Sequence, residues 1–233
     1  ENLTEDNIYV LESPVLSNGQ AEKFLDFFKD SIKILDCTFS INGSLKERLS
    51  EIRNEAEIAV REGKKHLVLS DKEINTEKAS IPMALTIGAI NSKLIESRIR
   101  GFTSINIQTS EVLDTHSLAV MLGVGATTVN PYIAFDSIYQ RYEKKLFGKI
   151  SYEECTQRYV KSLDNGILKI MSKMGISVLS SYRGGCNFEA VGLSRSVVAE
   201  YFPGMVSRIS GIGIAGIEKK IKTLHKKAFQ KNV

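Results

Sequence analysis

The sequence predicts an α/β fold of repeated βα units with a mainly parallel sheet, closed by C-terminal helices. Three observations carry this reading. A strand-like run followed by a helix-like run recurs five times along the chain, the order that parallel βαβ units require. A run such as His66–Leu69 is apolar without alternation, as expected of a strand covered on both faces. The helix-like runs open on capping residues and close on glycine, which marks their ends. Right-handed crossovers leave two architectures open, a doubly wound sheet or a partial (β/α) barrel; a complete eight-stranded barrel takes about 250 residues and more strands than these five.

The whole chain, 1–233, reads as a single domain with a lead-in over 1–31. The lead-in holds a short apolar piece from Ile8 to Leu11, then Ser13-Pro14. A helix follows from a Ser17 cap through Phe28, with Ala21, Phe24, Leu25 and Phe28 at spacings of three and four. The βα units occupy 32–193. Ile32 to Phe39 is the first strand. Ser44 and Glu47 make a capping box for a helix whose buried face is Leu45, Leu49, Ile52, Ala56 and Ala59, and Gly63 supplies its left-handed stop. His66 to Leu69 is the second strand. Ser80 and Pro82 start a helix to about Ser97. Ser104 to Gln108 is the third strand, and Asp114 caps a helix that runs to Leu122, broken by Gly123 and Gly125. Ala126 to Val129 is the fourth strand, followed by a helix from Pro131 to near Gly148. A second capping box, Ser151 to Glu154, opens a long helix to Met174. After a stop at Gly175, Ile176 to Ser180 reads as a fifth strand, a Gly184-Gly185 turn and a short helix. Residues 194–233 read as closing helices.

Composition excludes several classes. Hydrophobic content of 42% and charged content of 25% suit a globular domain with a substantial core. No apolar run approaches the roughly 20 residues of a membrane span, and no signal peptide opens the chain. The first residue is Glu1, so the chain is expected to be a fragment or processed product. Cys37, Cys155 and Cys186 are odd in number and far apart, neither a disulfide framework nor a metal-ligand pattern. They read as reduced thiols of a cytoplasmic-type compartment. The net charge of +4 is spread out apart from Lys219, Lys220, Lys222, Lys226, Lys227 and Lys231. Cations suit the last turns of a helix, and without a recognisable module they do not imply nucleic-acid binding.

The stretch Lys169 to Ser194 organises the chain. Its apolar run ends in Ser180, Ser181, Tyr182 and Arg183, and in parallel α/β folds the strand end is where loops and ligands collect. KIMSKMGIS, SYRG and FEAVGL within it resemble the glutamate synthase central domain, which stands between the glutamine amidotransferase and FMN-binding domains. LESPVLS (Leu11 to Ser17), LDCTF (Leu35 to Phe39), LVLSDK (Leu67 to Lys72), IPMAL (Ile81 to Leu85), HSLAVMLGVGATTVNPYIA (His116 to Ala134) and SRISGIG (Ser207 to Gly213) resemble the same family in order, so the likeness covers nearly the whole chain. There are departures. Gly184, Gly185 and Cys186 stand where the family often has Gly-Ala-Gln. Leu113, His116 and Ser117 stand where it usually has an Arg and a His-His pair.

The resemblance implies an incomplete, TIM-barrel-like α/β domain without catalytic, cofactor or metal sites of its own. The FMN, the iron–sulfur cluster and the 2-oxoglutarate site belong to another domain of the parent enzyme, and the glutamine-splitting cysteine to a third. Those two domains of the same polypeptide are the implied partners. The implied role is geometric: two active sites held at a fixed separation so that ammonia passes between them unprotonated, with the lone pair that attacks a carbonyl carbon, a positioning effect of entropic origin.

Two local patterns point elsewhere. Gly211 to Gly216 fits the dinucleotide fingerprint, but only 17 residues follow, too few for the acidic residue expected about 20 positions on. The glycines are expected to allow a bend and close packing. Cys186 follows two glycines, where a helix N-terminus would lower a thiol pKa, and a base would have to come from His66, His116 or His225. Interface candidates are Tyr182, Arg183, Phe188 and Glu189, with Arg183 expected at the C-terminal edge of the sheet and Glu189 its nearest partner. The alternative is a free-standing flavin- or phosphate-binding enzyme, whose anion site is the Tyr182–Gly185 loop before a helix.

Overall fold

The computed structural model describes residues 9–230; Ile8 of the lead-in and Lys231 of the basic tail lie outside them. Helix α1 (Asn18–Phe27) begins at a reciprocal capping box. The Gln20 amide donates to Ser17 Oγ at 3.3 Å, and the Ser17 amide to Gln20 Oε1 at 2.9 Å. Strand β1 (Ile32–Asp36) ends where the chain bends at buried Cys37, and β2 (Thr38–Ser40) belongs to another sheet. The single first strand expected over Ile32 to Phe39 is thus two. The bend is fixed from both sides: the Cys37 amide donates to Ser70 O, and its carbonyl accepts from the Ile81 amide.

Helix α2 (Leu45–Arg61) is capped by Ser44, which accepts from the Glu47 amide, but the Glu47 carboxylate does not return the bond, so only half of the expected capping box forms. β3 (His66–Ser70) follows, then β4 (Lys78–Ser80), antiparallel to β2. Ser80 therefore ends a strand, and α3 (Met83–Glu96) starts after Pro82. β5 (Ser104–Gln108), α4 (Thr115–Val124) and β6 (Thr128–Asn130) complete the main sheet. α4 runs through Gly123 and stops only at Gly125, whose φ of 134° needs glycine. α5 (Tyr132–Glu143) ends a turn earlier than expected, and α6 (Tyr152–Lys173) begins at Ser151. Glu154 does not complete its box, because its carboxylate pairs with Arg158 at 2.6 Å.

The main sheet is fully parallel, in the order β1-β3-β5-β6. Strands lying side by side in chain order are the winding of (β/α) barrels. Leu35, Leu67, Leu69, Ile105, Ile107 and Val129 point to one face and pack with Ile52, Ile87, Ile90, Leu118 and Leu122 of the helices. The other face is mixed, with Val68, Asn106, Gln108, Thr128 and Asn130 beneath Phe24 and Leu25 of α1. Two of its polar groups are linked: Thr128 Oγ1 donates to Asn106 Oδ1 at 2.8 Å, and Asn106 Nδ2 reaches Ser104 Oγ at 2.9 Å.

The expected fifth strand, Ile176 to Ser180, is absent. The free edge of β6 that it would extend is taken by the lead-in. Val15 bridges Val129 in parallel, with Leu16 N to Val129 O and Val129 N to Pro14 O both 2.8 Å. The segment instead turns over the core with Ile176 and Leu179 packed inward, and forms only α7 (Leu179–Tyr182).

The region after it also differs from expectation. The Gly184-Gly185 turn leads into β7 (Glu189–Leu193) and not a helix. Residues 194–230 form α8 (Arg195–Tyr201), β8 (Val206–Ile212) and α9 (Ile214–Phe229), not helices alone. β7 and β8 pair in parallel across the α8 crossover. This unit sits on a second core, where Val197, Tyr201, Ile214, Ile217 and Ile221 meet Phe39, Leu45, Leu49, Ile81 and Leu85. No helix among the described residues is long and apolar enough to cross a membrane.

Candidate interdomain surface

The four interface candidates fall in one loop but in different environments. Tyr182 is buried at the end of α7, edge-on to Phe188 at 6.4 Å between ring centres. Phe188 is half-buried, and its ring lies directly on Gly123 of α4. That contact explains a glycine inside a helix: any β-carbon there would overlap Phe188 Cε2. The loop is tied down by Gly184 N to Gly123 O at 2.9 Å and Asn187 Nδ2 to Tyr182 O at 3.0 Å. Cys186, exposed and with a φ of 51°, precedes a strand, so no helix terminus acts on its thiol. Its hydrogen bond goes to Gly184 O and not to a histidine.

Arg183 is not at the C-terminal edge of the sheet. It shares an open recess with Lys65, Arg100, Thr103, Ser104 and Thr127, residues at or just before the first residues of β3, β5 and β6, which is the N-terminal edge. The displacement follows from the missing fifth strand, since no strand carries the loop to the other end. Arg183 Nη1 donates to Thr127 Oγ1 at 2.9 Å. Glu189 pairs instead with Arg208 of β8 at 3.6 Å.

Glu189 opens the most distinctive surface of the molecule. Val191, Val206, Ile209 and Ile212 of the β7–β8 ribbon are exposed, Val191 and Ile209 by 64% and 62%. These two are register partners, so their side chains form one apolar step. Parallel strands are normally covered on both faces, and a sheet of two strands has little stability of its own. Here α8 and α9 cover one side and the other is bare. The strands also approach unusually closely: a β-carbon on Gly211 would overlap the Gly192 backbone. This accounts for the first glycine of the Gly211–Gly216 pattern, while Gly213 is the cap residue of α9.

At the C-terminal edge lies a cluster that the sequence did not single out. Asp71 follows β3 and is completely buried. Its Oδ2 accepts from Thr109 Oγ1 at 3.1 Å and from the amide and hydroxyl of Ser110, each at 2.9 Å. Glu111 Oε2 accepts from the Met83 amide at 3.0 Å and so caps α3 from a distant loop; burial, with Asp71 adding, raises its carboxyl to about 7. The Tyr132 phenol faces Asp71 and is raised by burial and by that charge, and Lys72 lies 5.2 Å from the Tyr132 ring centre. With Asp71 inaccessible, the cluster is a brace joining the loops after β3 and β5. The LSDK run was the available signal, but the partners of Asp71 lie on another loop.

Among the described residues no three His, Cys, Asp or Glu side chains are grouped to hold a metal ion. Cys37 is buried and its thiol is raised by desolvation, Cys155 is half-buried in α6 and Cys186 is exposed. These residues do not fit an iron–sulfur cluster.

The family model for the glutamate synthase central domain matches residues 1–194. Over its whole length the chain is 49% identical to the large chain of the NADPH glutamate synthase of Azospirillum brasilense, and it covers 16% of that protein. Over 94% of its length it is 36% identical to the corresponding Bacillus subtilis large chain, covering 14% of it. It is 35% identical over 96% of its length to the chloroplastic ferredoxin-dependent glutamate synthase of Spinacia oleracea, covering 15%. The chain thus spans about one-seventh of the length of these relatives, and it belongs to the glutamate synthase central domain family.

Proposed function

We propose that this chain is the non-catalytic connecting domain of a cytoplasmic glutamate synthase. It positions the glutaminase domain and the FMN- and 2-oxoglutarate-binding domain of the same polypeptide for ammonia transfer. The observation that carries the reading is the bare β7–β8 ribbon. An apolar face of this kind marks an interaction site, and in a chain that spans about one-seventh of its relatives the remainder of the polypeptide is the natural cover. The ribbon is not a loose appendage. Tyr201, Val197 and the α9 isoleucines seat it on α2 and α3, so a domain docked there inherits a fixed orientation relative to the main sheet. Rigid support of this kind keeps the distance between two sites constant.

In this reading Val191, Ile209 and Glu189 meet the neighbouring domain, Phe188 flanks them, and Tyr182 supports the loop from behind. FMN and the iron–sulfur cluster supply the redox chemistry from outside this chain. Hydrogen exchange tests the assignment. Amides of Val206–Ile212 exchange faster in the 233-residue chain than in a polypeptide of the relatives' length, while those of β3 and β5 do not differ. Equal exchange of the ribbon in both would refute it.

The alternative of a free-standing flavin or phosphate enzyme loses the helix N-terminus on which its loop relied. The Gly184-Gly185 turn precedes a strand, so no helix dipole faces an anion there.

A further inference from the structure

We propose that Arg100 and Arg183, at the N-terminal edge of the main sheet, form an oxyanion site that takes a carboxylate or phosphate group. The two guanidinium groups come from distant segments and are held together entirely by neutral acceptors. Arg100 is locked by three hydrogen bonds: Nε to Asn91 Oδ1 at 2.6 Å, Nη1 to Thr103 O at 2.7 Å and Nη2 to Gly125 O at 3.0 Å. It cannot swing away from a like charge. Arg183 is anchored by Nη1 to Thr127 Oγ1, and its Nε–H is buried with no hydrogen-bond partner among the described residues. A guanidinium has five N–H donors, so Arg183 keeps unused donors beside a second cation.

Neither arginine has an acidic partner among the described residues, in contrast to the other two partly buried arginines, Arg48 and Arg53, each of which pairs with a glutamate. Juxtaposed like charges without a counter-ion are costly when partly buried, and burial together with Arg183 lowers Arg100 to about 10. The recess they line has a volume of about 470 Å³ and carries Ser104 and Thr127, and among the described residues no acidic side chain lines it. Arginine forks match planar or tetrahedral oxyanions. The site does not rest on the connecting role proposed above.

Phenylglyoxal modification read by peptide mass spectrometry tests this without a destabilising substitution. Arg183 in the 233-residue chain is expected to react. Inorganic phosphate at ten times its dissociation constant should slow that reaction about tenfold while leaving Arg208 unchanged, which identifies a free anion as the occupant. If the occupant is a carboxylate of the same polypeptide, phosphate has no effect in the chain. In a polypeptide of the relatives' length, the amine of an Arg183→Lys variant then forms a carbodiimide cross-link to that carboxylate. The proposal is overturned if Arg183 does not react in the chain, if phosphate slows Arg183 and Arg208 alike, or if neither protection nor a cross-link is found.

Discussion

Gly123 and Phe188 are coupled tightly enough for a double-mutant cycle to read the contact. In Gly123→Ala the new methyl overlaps Phe188 Cε2 and presses Cδ2 and Cζ at 3.2 and 3.3 Å. Overpacking of this kind costs about 1–3 kcal/mol. Against it, alanine is favoured over glycine inside a helix by about 1 kcal/mol. The single variant is therefore destabilised by about 0–2 kcal/mol. With Phe188 already truncated to Ala the three nearest contacts of the methyl are gone, the helix term dominates, and Gly123→Ala stabilises by up to about 1 kcal/mol. The coupling energy is the difference, about 1–3 kcal/mol, within the range for residues in contact. Urea unfolding of the four chains at constant m measures it. If Gly123→Ala shifts the midpoint equally with and without Phe188, the ring does not rest on α4 and the placement of the loop is wrong.

Asp71→Ala strands the Thr109 hydroxyl and two Ser110 donors and should cost about 2–4 kcal/mol. Asp71→Asn keeps an acceptor and should cost less, and a loss below about 0.5 kcal/mol for Ala, typical of surface changes, would show the cluster is no brace. Glu111 carries a pH signature of definite sign. Its carboxyl is raised from 4.5 to about 7, so between these values the folded state binds the extra proton. Its contribution is complete below about pH 4.5 and is lost as pH rises through 7; Glu111→Gln should flatten that part of the stability curve, and an unchanged slope would contradict the assignment. The 233-residue chain should neither hydrolyse glutamine nor form glutamate, and turnover above a buffer control in a preparation free of host enzyme would refute this.

What the sequence disclosed depended on whether the determining contact was local. Capping at Ser17, Ser44, Asp114 and Ser151 and the stop at Gly63 are written within a few residues, and the helices begin where those residues place them. β3 is legible because its apolar run is bounded by polar residues, and β5 because Ile105 and Ile107 alternate with polar residues. Ile176 to Ser180 has the same local character, yet forms no strand because Pro14 to Leu16 occupies the edge it needed. β7 and β8 carry Gly192 and Gly211, poor strand residues; Gly211 is required by the close approach of the Gly192 backbone, and Gly192 by its φ of 78°. Of the surface, the loop from Tyr182 to Glu189 could be singled out, but not that Arg183 would meet Arg100 and Thr127 or that the bare apolar face would lie just beyond, at Val191 and Ile209. Gly123 is instructive: as a sequence signal it resembles a helix stop, and its real constraint is a ring from another segment.

The central claim is that the β7–β8 ribbon orients a neighbouring domain. Its most direct test is the ratio of 2-oxoglutarate consumed to glutamine hydrolysed in a polypeptide of the relatives' length carrying Val191→Asp and Ile209→Asp. Both side chains are exposed in the domain itself, so surface substitution there should change its stability by no more than about 0.5 kcal/mol. The account predicts that glutamine hydrolysis persists while the ratio falls well below that of the parent protein. A ratio equal to the parent's, with both aspartates in place, would contradict it.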